Sequence, residues 1–486
     1  MAIQFYNTYS RQKEPFETLE DGVVRMYTCG PTVYARPHIG NFRAFLFADL
    51  LRRWLEYRGY EVRHVMNITD VGHLLDDADE GEDKLDAQAR REQRDPFEIS
   101  ARYAAEYLAD RETLNLLPPL ENPKATEHIP EMLEIVRALI DKGHAYEVNG
   151  NVYFDVQSFP RYGQLSGNRV EDLVAGARVE VNAEKRHPAD FALWKSDPSH
   201  LMKWASEFGP DGFPGWHVEC SAMARKHLGD QLDIHTGGED NIFPHHECEI
   251  AQSESFTGDR FARYWMHAKF LQVDGGKMGK SLGNAYTIDE VLERGFEARH
   301  LRFALLRGHY RQPLNFTWAV MGEAKAFLEN LDRMVEDLER VVAAGDGASD
   351  SGAVEDVGSS ASVDTGAAVQ TAREEFEAAL DDDLSVPRAL AAIATLRNQF
   401  VQSPFTGAAA SAALELLRDF DRAFAVLRAP SAAADDDDAA IEALIAARRQ
   451  ARVDKDWAES DRIRDELLDQ GITLEDTPDG TIWRRG

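Results

Sequence analysis

Apolar residues at Phe42, Phe45, Leu46, Leu50 and Trp54 recur at spacings of three and four. That period predicts a helix from about Ile39 to Arg58, stopped by Gly59. The apolar run Val23 to Thr28 before it reads as a buried strand ending at Cys29-Gly30-Pro31, and Glu61 to Ile68 reads as a second strand. Strand, helix and strand in that order open a βαβ unit of a doubly wound parallel sheet. Helical patterns continue to about Lys142. From Gly143 to about His187 the pattern turns strand-like, with turn signals at Asn149-Gly150 and Ser166-Gly167. The expected architecture is therefore α/β. Residues 1–94 form the first half of a nucleotide-binding domain, 95–211 an insertion, and 212–300 the second half, resuming near Gly215. Beyond Ser281 the period turns helical, and 301–430 is expected to be a helical bundle, with Phe327, Leu331, Met334, Val335, Leu338, Val341 and Val342 on one stripe. Ala343 to about Gln370 holds few large apolar residues and is expected to be a flexible loop. Helices resume from Thr371 to Leu427. Within 431–486, Pro430 to Ala440 reads as a linker. Two short helices follow, Ile441 to Val453 and Trp457 to Gln470. A hairpin around Pro478-Asp479-Gly480 then completes a small α+β module.

Composition narrows the function. A chain of 486 residues has room for roughly three domains. Its 85 acidic and 54 basic residues give a formal charge of -31. Such an excess excludes non-specific attraction to nucleic acid as the main binding force; RNA would need local Arg and Lys patches. An acidic, lysine-poor surface suits solubility in concentrated salt. Three cysteines do not make a disulfide framework, so the expected compartment is a reducing cytoplasm with thiols available to metal. No 18-residue apolar run and no apolar signal core are found, and no internal repeat. A soluble monomer is the expectation.

Two short elements could hold phosphate. His38-Ile39-Gly40-Asn41 lies at a predicted helix start, where backbone amides and the helix dipole favour an anion. Lys277-Met278-Gly279-Lys280-Ser281 puts two cations on a glycine-containing loop, which suits a mobile clamp on pyrophosphate. Taken singly, the same residues fit a helix cap and a solvated turn. A metal site is the third feature. Cys29 ends the first strand, Cys220 is placed at a strand end facing the same crevice, and His245 and Glu249 share one face of a helix begun near Pro244. Two buried structural cysteines and an exposed His/Glu pair would fit the same spacing, and Cys248 competes as a ligand.

The chain resembles the cysteinyl-tRNA synthetases of class I along nearly its whole length. The stretches that carry this include Pro31-Thr32-Val33-Tyr34, His38 to Asn41, Asn67-Ile68-Thr69-Asp70, Ala125 to Ile129 and Asn151 to Asp155. Phe191 to Trp194, Gly215 to Met223, Phe243 to Glu247, Tyr264 to His267, Lys277 to Asn284 and Thr477 to Arg485 complete them. The resemblance implies a Rossmann-like core with an inserted connective domain, a helical bundle and a terminal anticodon-binding module. It implies that Cys29, Cys220, His245 and Glu249 hold one Zn2+. It also implies that His38, Gly40 and Asn41 match the HIGH signature, and that Lys277 and Lys280 match the KMSKS loop over ATP and its Mg2+. Trp216, His217, His235 and Thr69 match the amino-acid pocket. Four positions depart from the family pattern: Asn41 stands for histidine, Gly279 for serine, Thr236 for glycine and Cys248 for asparagine.

The implied reaction joins cysteine to ATP as cysteinyl-adenylate, with loss of pyrophosphate, and then transfers it to tRNA(Cys). Positioning and charge stabilisation would supply the rate, with His38, Lys277 and Lys280 on the pyrophosphate. Sulfur and oxygen differ too little for an apolar pocket to separate cysteine from serine. A soft metal contact would do it. Arg448, Arg449 and Arg452 on one helix, with Trp483, Arg484 and Arg485 after the hairpin turn, suit stacking on unpaired bases. Two rivals remain. An ATP-dependent ligase joining cysteine to an amino-sugar would lack the terminal module, and a non-catalytic zinc RNA-binding protein would leave the lysine loop unexplained.

Overall fold

Four parallel strands form the central sheet of the computed structural model: β1 (Val23–Thr28), β2 (Glu61–Met66), β3 (Leu232–Gly238) and β4 (Ala262–Ala268). Across the sheet they stand in the order β4-β3-β1-β2. Met26 of β1 faces His64 on one side and Ile234 on the other. The chain lays β2 beside β1, then returns to the opposite edge of β1 for β3 and β4. Segment 120–125 extends the β2 edge, with Leu120, Met66 and Ile68 exchanging backbone hydrogen bonds along it. The reversal between β1 and β3 is a topological switch point, where a parallel sheet opens a crevice at its carboxyl ends.

The strands alternate faces as the pleat requires. Val24 and Met26 of β1 and Tyr264 and Met266 of β4 join one apolar cluster. Tyr27, next after Met26, and Trp265, between Tyr264 and Met266, join another. The first cluster contains α1 (Ile39–Tyr57), which buries Phe42, Leu46, Leu50 and Trp54 on the spacing read from the sequence. Gly59 ends it at φ +92°. The second contains α2 (Trp216–Leu228) and α3 (His245–Thr257). Helices on both faces make the sheet doubly wound.

The structure describes residues 2–71, 83–170, 182–279, 283–344, 364–428, 434–477 and 480–485. It divides into two compact units, Met1–Leu427 and Arg428–Gly486. Between β2 and β3 stands a five-stranded antiparallel sheet, in spatial order 145–148, 151–154, 191–196, 209–214 and 204–206. Asn149 and Gly150, at φ +54° and +84°, make its first hairpin turn. A helical bundle follows the core: Trp318–Ala344, Thr365–Asp381, Val386–Gln402 and Gly407–Phe424. The second unit packs Ala434–Val453 and Trp457–Asp469 on the hairpin Ile472–Thr477 and Gly480–Arg485, with Ile441, Ile445, Ile463, Leu467 and Ile472 as its core.

Four expectations are corrected. Cys220 lies in the second turn of helix α2, not at a strand end. Helix already begins at Thr365 in the stretch expected to be a loop; residues 345–363 of that stretch lie outside the described residues. Helix begins at Ala434 in the expected linker, because the following residues supply a packed face that acidic composition does not reveal. Val342, placed on the apolar stripe, is exposed, while Leu331, Met334 and Leu338 are buried.

One buried charge pair joins core to bundle. Asp49 of α1 accepts hydrogen bonds from Arg302, Arg53 and the Leu117 amide. Arg302 also donates to the carbonyls of Phe424, Leu114 and Asn115. Burial acts to raise the Asp49 carboxyl, but Arg302 and Arg53 outweigh it and hold it below the usual range. Arg302→Met removes the larger of the two cationic partners of the buried Asp49, leaving Arg53 and the Leu117 amide, and is expected to cost about 3 kcal/mol. The midpoint of guanidinium unfolding, compared with wild type at pH 7, measures the loss.

Candidate active site and metal centre

Cys29 leaves the carboxyl end of β1 and is positioned by the next residue. Gly30 donates its N–H to Asn67 Oδ1 at 2.9 Å. A Cβ at Gly30 would lie 1.7 Å from the Asn67 carbonyl oxygen, so only glycine permits this approach. Opposite, α3 presents His245 and Glu249 one turn apart, with His245 Nε2 3.0 Å from Glu249 Oε1. Helix α2 brings Cys220, whose Sγ lies 3.9 Å from Cys29 Sγ. Cys29 Sγ also stands 3.7 Å from Glu249 Oε1. The four ligand atoms of Cys29, Cys220, His245 and Glu249 all fall within 4.8 Å of one another.

Electrostatics suit a cation. Burial pushes the Cys29 thiol well above its usual range, and its hydrogen bond to Cys220 adds to this. Burial also acts to raise Cys220, but the Cys29 hydrogen bond and His245 bring it down to about 6. Burial acts to lower His245, yet Glu249 and Cys220 lift it to about 10. For Glu249 burial is outweighed by His235 and His245, which draw it to about 2. The shifts favour an ionised Cys220 thiol and an ionised Glu249 carboxyl beside a protonated His245 in the buried cluster. A divalent ion would displace the protons of Cys29 and His245 and neutralise the rest. Two sulfurs, one imidazole and one carboxylate are a donor set that zinc accepts.

The shell around the donors was only partly legible. His235 stacks on Trp265 at 4.6 Å between ring centres and places Nε2 3.0 Å from Glu249 Oε2. Trp216 lies 4.2 Å from the His245 ring, and His217 Nδ1 is 3.1 Å from His245 Nδ1. Thr69 is buried behind Gly30, its hydroxyl accepting from Asn67 Nδ2 at 3.0 Å. Of the expected pocket residues, His235, Trp216 and His217 thus lie against the donors, and Thr69 is joined to them only through Asn67 and Gly30. His246 and His267 were missed. His246 Nε2 lies 3.1 Å from Cys29 Sγ and its Nδ1 2.8 Å from His267 Nε2. His267 Nδ1 in turn meets Thr8 Oγ1 at 2.8 Å. Were metal binding to ionise Cys29, the tautomers of this chain would be set: His246 would donate to sulfur, His267 to His246, and Thr8 to His267. The period-two pattern of β4 carried the signal, since it puts His267 on the face of Trp265. Cys29, His235, His246 and Glu249 also meet the distance condition for a metal. The set with two sulfurs is the softer, and it leaves His235 and His246 as partners of its ligands.

Cys248 takes no part in either set; its Sγ lies 3.3 Å from the Tyr162 hydroxyl. The Thr236 hydroxyl is 2.7 Å from that of Thr28, which also contacts His64 Nε2 at 2.9 Å, so the threonine is absorbed between strands.

The two phosphate elements meet. His38 is the N-cap of α1 and Gly40 its second residue. A Cβ at Gly40 would lie 2.3 Å from Met278 Cε, so the lysine loop rests on this helix start. Ile39 donates to the Tyr286 carbonyl at 2.9 Å, tying the same turn to the chain beyond the loop. Asn41 Oδ1 accepts from the His38 N–H at 3.0 Å. Its carbonyl end is thus a cap, and its NH2 is the end that can meet an anion. Gly279 donates to Asn284 Oδ1 at 2.9 Å. The Lys277 backbone pairs with Gln272; its side chain, and all of Lys280, lie outside the described residues.

In the second unit Arg449 and Arg452 are exposed. Arg448 is buried, and its Nη1 stands 3.4 Å from Thr481 Oγ1, so it holds the module together rather than facing RNA. Side chains of Trp483, Arg484 and Arg485 lie outside the described residues.

Comparison with known proteins agrees with this geometry. Residues 15–326 match the family model "tRNA synthetases class I (C) catalytic domain", and residues 434–484 match "Cysteinyl-tRNA ligase anticodon binding domain". A cysteine–tRNA ligase of Symbiobacterium thermophilum is 45% identical, with 100% of each chain covered. One of Deinococcus radiodurans is 44% identical over 99% of this chain and 97% of its own. The Mycobacterium tuberculosis methionyl-tRNA synthetase in complex with methionyl-adenylate superposes with a TM-score of 0.59 at 17% identity. That match covers 82% of this chain and 89% of its own, a likeness of fold alone. A catalytic-domain match over more than half of the length, with full-length relatives above 40% identity, shows that the chain belongs to the cysteinyl-tRNA ligase family.

Proposed function

We propose that the chain activates cysteine with ATP, forming cysteinyl-adenylate and pyrophosphate, and transfers the cysteinyl group to tRNA(Cys). The observation that carries this is the convergence of Cys29, Cys220, His245 and Glu249 at the switch-point crevice. We assign these four to one Zn2+. Zinc there would supply a soft Lewis-acid contact that lowers a thiol pKa and that a hydroxyl exploits far less. Trp216, His217, His235 and Thr69 would shape the pocket around the amino acid. Glu219, buried beside Cys220, is held well above the usual carboxylate range by burial and by its anionic neighbours Cys220 and Asp70.

ATP, with Mg2+, would lie across the helix start. The amides of α1, the Asn41 NH2, His38, Lys277 and Lys280 would carry the developing charge on pyrophosphate. Little covalent chemistry is asked of the side chains. The insertion 95–211, the core halves 1–94 and 212–300, the bundle 301–430 and the module 431–486 are assigned to one enzyme chain acting as a monomer in the cytoplasm. Among the described residues no helix is long and apolar enough to cross a membrane. The amino-sugar reading loses its support, because residues 434–484 match an anticodon-binding domain.

Aminoacylation of total tRNA with labelled cysteine, serine and alanine, with and without a zinc chelator, tests the assignment. Charging is expected for cysteine alone, lost with the chelator and restored by Zn2+. Equal charging of serine, or charging indifferent to zinc, would overturn it.

A further inference from the structure

We propose that Asp83, Asp86 and His200 form a second, sulfur-free site for a divalent transition-metal ion, which pins the insertion to the first half of the core. Asp83 is the N-cap of the helix Lys84–Glu92 and Asp86 sits in its first turn. His200 comes from the loop before the strand Trp204–Ser206, more than a hundred residues on. All three side chains are at least nine-tenths buried, with relative exposures of 4%, 2% and 5%. One ligand atom from each falls within 4.8 Å of the others.

Each residue has one polar end committed and one end turned inward. Asp83 Oδ1 accepts from the Leu85 and Asp86 amides, both at 2.8 Å. Asp86 Oδ2 accepts from the Leu201 amide at 2.9 Å. His200 Nδ1 lies 2.6 Å from the Met202 carbonyl and 3.2 Å from the Met202 amide; in the tautomer that donates across the shorter contact, Nε2 keeps the lone pair. Phe213, stacked 3.9 Å from the imidazole, fixes its plane. The remaining atoms, Asp83 Oδ2, Asp86 Oδ1 and His200 Nε2, are buried without a hydrogen-bond partner. Such atoms are rare in folded proteins, and one shared ligand would satisfy all three.

Their spacing argues against a plain ion pair. His200 Nε2 and Asp83 Oδ2 stand 3.6 Å apart. A charge-assisted hydrogen bond would close to about 2.8 Å. Two ligands each about 2.1 Å from one zinc ion stand roughly 3.4 Å apart at the tetrahedral angle. Arg90 Nη2 remains 3.9 Å from Asp86 Oδ2, and Asp86 Oδ1 has no hydrogen-bond partner. A backbone carbonyl on the far nitrogen is the usual support of a metal-bound histidine. Imidazole with two carboxylates suits zinc, cobalt or manganese rather than calcium or magnesium.

Metal analysis of the full-length protein, loaded with Co2+ and freed of excess, decides the matter. Wild type is expected to hold two equivalents. His200→Ala and Asp86→Asn should each hold one and keep the thiolate-to-cobalt charge-transfer absorption. Cys220→Ser should lose that absorption and keep the sulfur-free equivalent. The two sites are thus read separately, so failure of the first does not decide the second. Asp86→Asn retains an acceptor for the Leu201 amide and carries the count if His200→Ala does not fold. A metal count equal in wild type and in both variants overturns the proposal.

Discussion

Cys220→Ser is expected to strip the protein of its thiolate-bound metal and most of its preference for cysteine. The serine hydroxyl is a poor zinc ligand, and the change also removes the smaller of two anionic influences, after Glu249, that lift His245. The remaining cluster is one high-pKa thiol facing a His/Glu pair. Selectivity should then fall from about 10^4-fold, typical of a site whose polar contact the wrong substrate cannot make, towards about 10^2-fold, typical of pocket shape alone. The ratio of kcat/KM for cysteine and serine in pyrophosphate exchange measures this, beside the charge-transfer absorption of the cobalt-loaded variant. An unchanged ratio with undiminished charge transfer would remove Cys220 from the ligand set.

Lys280→Ala should reduce pyrophosphate exchange by about 10^2 to 10^3-fold, the usual cost of deleting one preorganised group from developing charge. Cysteine affinity, measured by equilibrium dialysis without ATP, should stay within about twofold, because nothing in this reading places the loop on the amino acid. The expectation rests on the loop's anchors. Met278 lies against Gly40, and Asn284 ties Gly279, the residue immediately before Lys280. Undiminished exchange would place Lys280 outside the active site. A matching loss of cysteine binding would mean that it acts by holding the pocket.

The helix over Ile39–Tyr57 and the strands around it were legible because their burial pattern has one clear period. The four proposed metal ligands were legible only through resemblance. No spacing rule joins Cys29 to a residue 191 positions away, and Cys220 was even assigned to the wrong kind of element. His246 and His267 escaped because their role is to face a ligand, a relation that exists only once α3 packs on β4. Arg448 misled for the opposite reason: a cluster of arginines looks cationic in a sequence until one of them is folded inward. Asp83, Asp86 and His200 gave no signal at all, since capping explains the aspartates and nothing in the chain links them to the histidine.

The Gly30 junction and the 191-residue gap between the paired sulfurs have a consequence for synthesis. At translation rates of roughly 5–20 residues per second, Cys29 emerges roughly ten to forty seconds before Cys220. Throughout that interval one edge of β1 has no β3 to pair with. A nascent thiol and an open strand edge therefore wait together at the ribosome. Until β3 is made, the chain depends on that thiol staying reduced and that edge staying unpaired with other chains.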